Sequence, residues 1–421
     1  MIPLDIGKLR SEFPSLSRKY NGNPLIYFDG PGGTQVPQRV IDAVTAYYAS
    51  CNANVGDAFQ TSVETDEVVN AAREAMADLL NAASADQIIF GPNMTTITFN
   101  IARSFGDMLE RGDEIVVTNL DHDANVTPWT ELEAHGAVIH SVPVLPNGTL
   151  DMVELGNVLN SRTKLLAITH ASNAIGTIPE VKLATEMAHR AGAWVYVDAV
   201  QYVPHGSIDV QQLDCDFLAC SSYKFYGPHQ GIVYAHSRAL DCLKAHKVKP
   251  AKDINPYRWE TGTQNHECLA GVAATVEYLA DIGKVYGGHL IQNYETEGYS
   301  HRRAVLKASM HVIRESEADL ALYFLERIKR VDGITLYGIT DTDMIDSRVP
   351  TFAFTWDKLS PRKTAEYLAD RGICCWSGNY YALRLMNQFG LEASGGAVRI
   401  GLGHLNTHEE IDYLISCLVD F

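Results

Sequence analysis

The chain has 421 residues, too many for one ordinary hydrophobic core, so two domains are the default expectation. Its residues are 46% hydrophobic and 20% charged, the balance of a globular protein and not of a disordered one. The net charge of −17, with no basic run anywhere, argues against a nucleic-acid or anionic-membrane partner.

Eight cysteines stand at 51, 215, 220, 242, 268, 374, 375 and 417. None forms a CxxC pair and no Cys/His cluster has zinc spacing, so no metal site is expected. Several lie in apolar segments and read as reduced core thiols. The opening residues, MIPLDIGKLRSEFP, lack the apolar stretch of a signal peptide, and no run approaches a membrane span. A soluble, acidic, cytoplasmic protein is expected.

In chain order, residues 4–12 read as a short helix ending before Pro14. Residues 26–28 read as a strand, followed by Asp29-Gly-Pro-Gly-Gly-Thr34 and a helix over about 37–50. That glycine-rich turn is either a phosphate cradle or a tight turn near a site. Residues 51–63 are polar and patternless, as a loop over an active site is, and as any surface loop is. Over 64–82, Val68, Val69, Ala72, Met76, Leu79 and Leu80 fall on one side of an amphipathic helix. A strand at 88–90 runs through Gly91-Pro-Asn-Met94 into Thr95, Thr96 and a helix to about 105. Free N–H groups and the positive end of that helix suit a phosphate dianion. A plain N-cap threonine is the alternative.

Further apolar strands are expected at 114–118, 138–142, 165–169, 194–197, 217–219 and 231–235. Helices are expected after Pro128-Trp129, over 151–159 and over 180–191. Unbroken apolar strands alternating with helices predict a parallel sheet covered on both faces. Residues 236–268 are irregular. Beyond 270, helices are expected over 270–283, 296–331 and 361–371, with strands at 334–338 and 350–356. Strands at 373–376 and 397–400 then close a small sheet, and a helix from Thr407 ends the chain. We divide the chain into an arm (1–24), a large domain (25–270) and a small α+β domain (271–421).

Two strands of the large domain end in reactive side chains. The run 194–197 delivers Asp198, with Gln201 three residues on. The run 217–219 ends in Ser221, Ser222, Tyr223 and Lys224. Ligands collect at the carboxyl ends of strands in open α/β sheets. A lysine there, among aromatics, is the type that gives up its proton and forms Schiff bases. An aspartate opposite it is what a pyridinium nitrogen needs. The pair predicts a pyridoxal-phosphate (PLP) site.

With these residues in view the chain resembles the class V aminotransferase group of fold-type I PLP enzymes. Its branch is similar to the cysteine-desulfurase-like proteins, relatives of group II cysteine desulfurases, isopenicillin N epimerase and kynureninase. The resemblance rests on Val197-Asp198-Ala199-Val200-Gln201 with Ser221-Ser-Tyr-Lys224, on the Asp121–Trp129 segment, and on Arg399-Ile-Gly-Leu-Gly. It implies a mainly parallel seven-stranded sheet in the large domain. It implies that Lys224 attaches the cofactor and shuttles the α-proton, and that Asp198 pairs with the ring nitrogen. Gln201 and Asn173 would sit near the ring hydroxyl. Thr95, Thr96, Ser221 and Tyr223 would hold the phosphate, and Thr263 is similar to a threonine that reaches the phosphate of a neighbouring protomer. Hence a homodimer is expected. Arg399 would clamp the substrate α-carboxylate. Singly, Asp198 as a helix cap, Arg399 as an interdomain ion pair and Ser221 as a turn residue are ordinary alternatives.

Two departures bear on the reaction. In the desulfurases a histidine stacks on the ring, in the register that Asp123 occupies here; His122 faces the other way if this segment is extended. Asp123 is therefore expected at the ring, accepting a proton or bonding a substrate amine. The desulfurase nucleophile is a cysteine after Thr-Gly-His-His, whereas Trp376-Ser-Gly-Asn-Tyr380-Tyr381-Ala382 puts Tyr381 near that position. Tyr380 or Tyr381 would contact substrate, relay a proton or pack between domains. Cys374 and Cys375 lie in an expected strand, where a buried thiol is inert. Gly32-Gly33 and the 52–54 loop resemble a substrate-side wall, and the loop's Asp57, with no arginine, suggests a polar or positive substrate side group. The expected chemistry is β-elimination, C–S cleavage of a cysteine-like amino acid. Transamination, desulfuration and epimerisation are the alternatives. A PLP-fold scaffold without catalysis is the rival class, and intact Lys224 and Asp198 argue against it.

Overall fold

The seven apolar runs expected as strands in the first part of the chain lie in one seven-stranded sheet. The structure, a computed structural model, describes residues 2–421. Across the sheet the order is Ile88–Gly91, Gly231–Ala235, Phe217–Ser221, Trp194–Asp198, Thr163–Thr169, Glu114–Thr118 and Val138–Val142. Gly231–Ala235 is antiparallel to both neighbours, and the other six strands share one direction. The connection over 222–230 explains the exception. A parallel crossover needs about a dozen residues or more, and this one turns back at once through the short 3-10 turn Ser222–Lys224.

Successive strand residues feed opposite cores. Val195 and Val197 pack into one cluster with Val69, Ala72 and Met76, while Tyr196 packs into another with Ile101, Phe105 and Trp129. Burial on both faces is why the strands read as continuous apolar runs. Strand order reverses between Glu114–Thr118 and Thr163–Thr169, so their carboxyl ends open a crevice at the switch point.

A four-stranded antiparallel sheet follows, in the order Ile334–Tyr337, Thr351–Trp356, Ala397–Gly401 and Trp376–Gly378. Its core joins Phe352, Phe354, Val398 and Ile400 to Phe324 of the long helix and Leu414 of the last one. The expected strand at 373–376 is divided. Trp376–Gly378 joins this sheet, but Ile373–Cys374 pairs in parallel with Ile26–Tyr27. The expected helix over 296–331 is also two, Gly288–Thr296 and His301–Ile328. Gly298 at φ +98° ends the first, and the Ser300 side chain caps the second by accepting the Arg303 N–H at 3.3 Å. The His266–Tyr286 helix runs unbroken through residue 270. Among the described residues no helix is long and apolar enough to cross a membrane.

Candidate active site

Asp198 is the last residue of Trp194–Asp198, and Lys224 ends the turn that follows the neighbouring strand. Both line one cavity of about 250 Å³. The Asp198 carboxylate is buried and accepts the Val200 N–H at 2.9 Å. Burial pushes its pKa up to about 6, opposed by that N–H and by the Lys224 charge. Burial, then the Arg399 charge, pushes the Lys224 amine down to about 7, while Asp29 and Asp198 oppose the shift. The amine donates to the Pro31 carbonyl and lies 4.9 Å from the centre of the Tyr223 ring.

The glycine-rich turn sits beside this lysine. The Thr34 N–H donates to the Tyr223 carbonyl at 3.0 Å, and the Tyr226 N–H donates to the Thr34 hydroxyl at 2.7 Å. A Cβ on Gly32 would lie 2.3 Å from an Asp29 carboxylate oxygen, so glycine lets that carboxylate fold back over the turn. The carboxylate meets Arg399, whose Nη2 donates to it at 3.2 Å. Arg399 Nη1 donates to the Asn173 carbonyl at 3.0 Å, and its guanidinium carbon stands 4.6 Å from the centre of the Tyr380 ring. Burial lowers the Arg399 pKa and Asp29 partly restores it. The Arg399 Nε and the Asn173 Oδ1 are buried without a partner.

Helix Met94–Gly106 starts at the cavity wall. Asn93 caps it, accepting the Thr96 N–H at 2.9 Å and the Thr96 hydroxyl at 3.0 Å. The Met94 N–H donates to the Ser221 hydroxyl at 3.4 Å. A Cβ on Gly231 would lie 2.2 Å from the Asn93 carbonyl carbon, so only glycine lets the helix start settle on that strand. Thr95 and Tyr223 line the cavity. Thr96 is exposed and occupied by Asn93, and buried Ser221 lies behind the wall, so neither lines it. Thr263 is exposed and lines no part of its own chain's cavity. Gln201 lines it and donates to the Thr351 hydroxyl at 3.1 Å.

The donor set fits PLP. A part-neutral amine suits an aldehyde, a buried carboxylate suits a pyridinium nitrogen, and the positive end of a helix at the cavity wall suits a phosphate. Asn173 lines the same cavity, and its Oδ1 is a buried acceptor without a partner.

Three expectations are corrected. Asp123 does not line the cavity, whereas His122 does. The segment is not extended: Asp123–Asn125 is a 3-10 turn, in which side chains do not alternate between faces. Asp123 accepts the Thr127 hydroxyl at 2.7 Å and donates its N–H to the Tyr381 carbonyl at 2.7 Å. His122 accepts the Ala124 N–H on Nδ1 at 3.0 Å, and burial with the Lys224 and Arg399 charges pushes its pKa down to about 4. Its neutral ring stacks on Tyr381, with centroids 5.4 Å apart. The second correction concerns residues 52–54, expected as part of a substrate-side wall, which do not line their own chain's cavity. Asp57 is instead at the start of helix Gln60–Leu80, where its N–H donates to the Ser62 hydroxyl at 2.9 Å. The third is the wall itself: Gly32 lines the cavity, but Gly33 does not.

The thiols stay out of the site. Among the described residues no cysteine lines the cavity. Burial raises Cys374 and pushes Cys375 up to about 12, with the Asp29 charge adding to both. Tyr381 does line the cavity, 70% exposed, with φ at +58°. Asp29, Pro31, His122 and Trp376 are site residues that sequence reasoning missed. For His122 the available signal was its neighbour in the same motif. Asp29 has none, since its partner is 370 residues away.

The class-V aminotransferase family model matches residues 26–306 and 302–414. A cysteine desulfurase of Synechococcus elongatus is 33% identical over 432 residues, covering 99% of this chain; the chain spans only 64% of that relative's length. A cysteine desulfurase of Pectobacterium atrosepticum is 32% identical over 429 residues, covering 98% of this chain and 97% of the relative. Among solved structures, the apo cysteine desulfurase of Thermococcus onnurineus superposes with a TM-score of 0.86 at 25% identity, covering 100% of this chain and 99% of that one. The cysteine desulfurase CsdA of Escherichia coli gives 0.82 at 25% identity, covering 99% and 98%.

Proposed function

We propose, because this chain belongs to the class-V aminotransferase family, that it is a PLP-dependent enzyme that breaks the C–S bond of a cysteine-like amino acid by β-elimination. One observation carries the choice of elimination over desulfuration: the cavity shared by Lys224, Asp198 and Arg399 has tyrosine, and no thiol, where sulfur would be received. A persulfide-forming enzyme needs a thiolate there. Cys374 and Cys375 are protonated at neutral pH and lie outside the cavity.

PLP, when bound, supplies a carbonyl for the substrate amine and a ring that accepts the electron pair left on Cα. Thr95, Tyr223 and the Met94–Gly106 helix start would hold its phosphate, with Ser221 and Asn93 bracing that start and Thr96 tying it to Asn93. Asn173 and Gln201 would face the ring hydroxyl. Asp198 would hold a proton on the ring nitrogen, where its buried charge is best compensated. Arg399 binds the substrate carboxylate, its guanidinium plane fixed by Asp29, the Asn173 carbonyl and the Tyr380 ring. Lys224 takes the α-proton, since a base near pKa 7 is matched to neutral pH. His122, neutral, with Nδ1 already accepting the Ala124 N–H, carries its proton on Nε2 and offers a hydrogen bond to the departing sulfur. With L-cysteine and water the products are hydrogen sulfide, pyruvate and ammonia.

The enzyme acts as a homodimer in the reducing cytoplasm. Exposed Thr263, idle in its own chain's cavity, supports a role at the phosphate of a second copy. The eight free thiols support a reducing compartment. The test is to supply PLP-loaded enzyme with L-cysteine and assay products. Pyruvate and sulfide in equal amounts are expected, with turnover kept in Cys374→Ser/Cys375→Ser and lost in Lys224→Ala. Alanine with a protein-bound persulfide would establish desulfuration instead, and pyridoxamine phosphate with a keto acid would establish transamination.

A further inference from the structure

Trp376 and Tyr381 are large aromatic side chains at the cavity, 54% and 70% exposed, and the packing of the chain explains neither. Tyr381 is held there at a backbone cost. Its φ of +58° is unfavourable for a residue with a Cβ, and Tyr380 before it has φ +56°. Three hydrogen bonds fix this conformation. The Tyr381 carbonyl accepts the Asp123 N–H at 2.7 Å, the Tyr381 N–H donates to Asn379 Oδ1 at 3.1 Å, and the Tyr380 carbonyl accepts Asn173 Nδ2 at 2.8 Å. The phenol ring lies against the His122 ring at 23°.

The charge inventory limits what these rings meet. The cations lining the cavity are Lys224 and Arg399, both with assigned work, and Asp198 is the acid. Asp29 is paired with Arg399 and His122 is neutral. No lysine, arginine or carboxylate is left over for a charged substrate side group. Sulfur, moreover, has no thiol to receive it and no acid reserved for it: His122 offers only a neutral N–H, and the one proton Lys224 carries comes from Cα. Such a site favours sulfur that departs as a stable anion, and thiols of lower pKa leave faster.

Building on the β-elimination reading, we propose that the substrate is an S-substituted cysteine whose sulfur carries an uncharged aromatic group, held by Trp376 and Tyr381. The Cα–H and Cβ–S bonds break, the sulfur leaves with the bonding pair as an aryl thiolate, and water completes the reaction. R–S–CH2–CH(NH3+)–COO− and water give R–SH, pyruvate and ammonium. No oxidant or reductant is needed.

The test compares kcat/KM for S-phenyl-L-cysteine, S-carboxymethyl-L-cysteine and L-cysteine, with pyruvate release as the readout on PLP-loaded enzyme. S-phenyl-L-cysteine should exceed both others by about tenfold or more, the scale of one good aromatic contact. Trp376→Ala and Tyr381→Ala should each lower the S-phenyl to cysteine ratio by about tenfold, and Tyr381→Phe should preserve it. Calorimetric titration of S-phenyl-L-cysteine into PLP-loaded Lys224→Ala protein should show the same loss of affinity in the alanine variants. Cleavage of L-cysteine with no preference for the aryl compound, or a ratio unmoved by both alanine variants, overturns the aromatic assignment alone. No pyruvate from any of the three overturns the β-elimination reading with it.

Discussion

The depressed pKa of Lys224 should set the pH at which the apoprotein takes up its cofactor covalently. Only the neutral amine attacks an aldehyde. An ordinary solvated lysine, with a pKa of 10.5, is neutral in about 3 molecules in 10,000 at pH 7. With the pKa pushed down to about 7, half of the Lys224 amines are neutral at that pH, a gain of about 1,500-fold in the reactive form. The sign is clear: a base whose pKa is lowered on folding is already neutral above pH 7, so raising the pH further adds little. In stopped-flow mixing of apoprotein with PLP, the visible absorbance should grow at a rate that climbs with pH and flattens near pH 7–8. Arg399→Leu removes the second-largest cause of the depression and also frees the Asp29 charge, which stabilises the ammonium. Both effects raise the Lys224 pKa, so the plateau should move to higher pH. A wild-type rate still rising about tenfold per pH unit near pH 9, or a plateau that moves down in Arg399→Leu, would refute the reasoning.

Behind Gln201, Glu317 accepts His205 Nδ1–H at 2.7 Å and the His404 N–H at 3.1 Å in a fully buried position. Glu317→Ala strands both donors and should cost about 3–5 kcal/mol in urea denaturation; a loss under about 0.5 kcal/mol would contradict the buried network. Gly231→Ala drives a methyl into the Asn93 backbone, 2.2 Å from its carbonyl carbon, and should weaken PLP retention in dialysis by about tenfold or more. Unchanged retention would detach that helix start from the phosphate. Tyr381→Gly relieves a positive φ at an exposed side chain, so it should stabilise the protein by about 1 kcal/mol in thermal unfolding while lowering activity. A variant both less stable and fully active would remove the strain argument.

The seven-stranded sheet was legible because six of its strands are buried on both faces and so write themselves as apolar runs, while the edge strand Val138–Val142 is part-exposed. Asp198 and Lys224 were legible as a pair because strand ends in such sheets point polar residues at one edge. Misreading His122 and Asp123 came from a single local assumption. An extended segment and a 3-10 turn of the same residues send opposite side chains to the cavity, and three polar residues carry no periodicity to tell them apart. The split of residues 373–376 has the same character. Ile373–Cys374 is apolar enough for either sheet, and its partner Ile26–Tyr27 stands at the other end of the chain.

What this sequence determined by itself is local: where strands and helices run, which ends carry a base and an acid, and that Tyr380 and Tyr381 follow Gly378 with no cysteine among them. Only the tertiary structure decided which polar groups meet. Asp29 reaches Arg399 across 370 residues, Asp123 braces Tyr381, and His122, not Asp123, faces the cavity. The physical reason is that periodicity records how a residue relates to its own element's buried face. A contact between distant segments depends instead on how two elements pack, and no spacing along the chain encodes it.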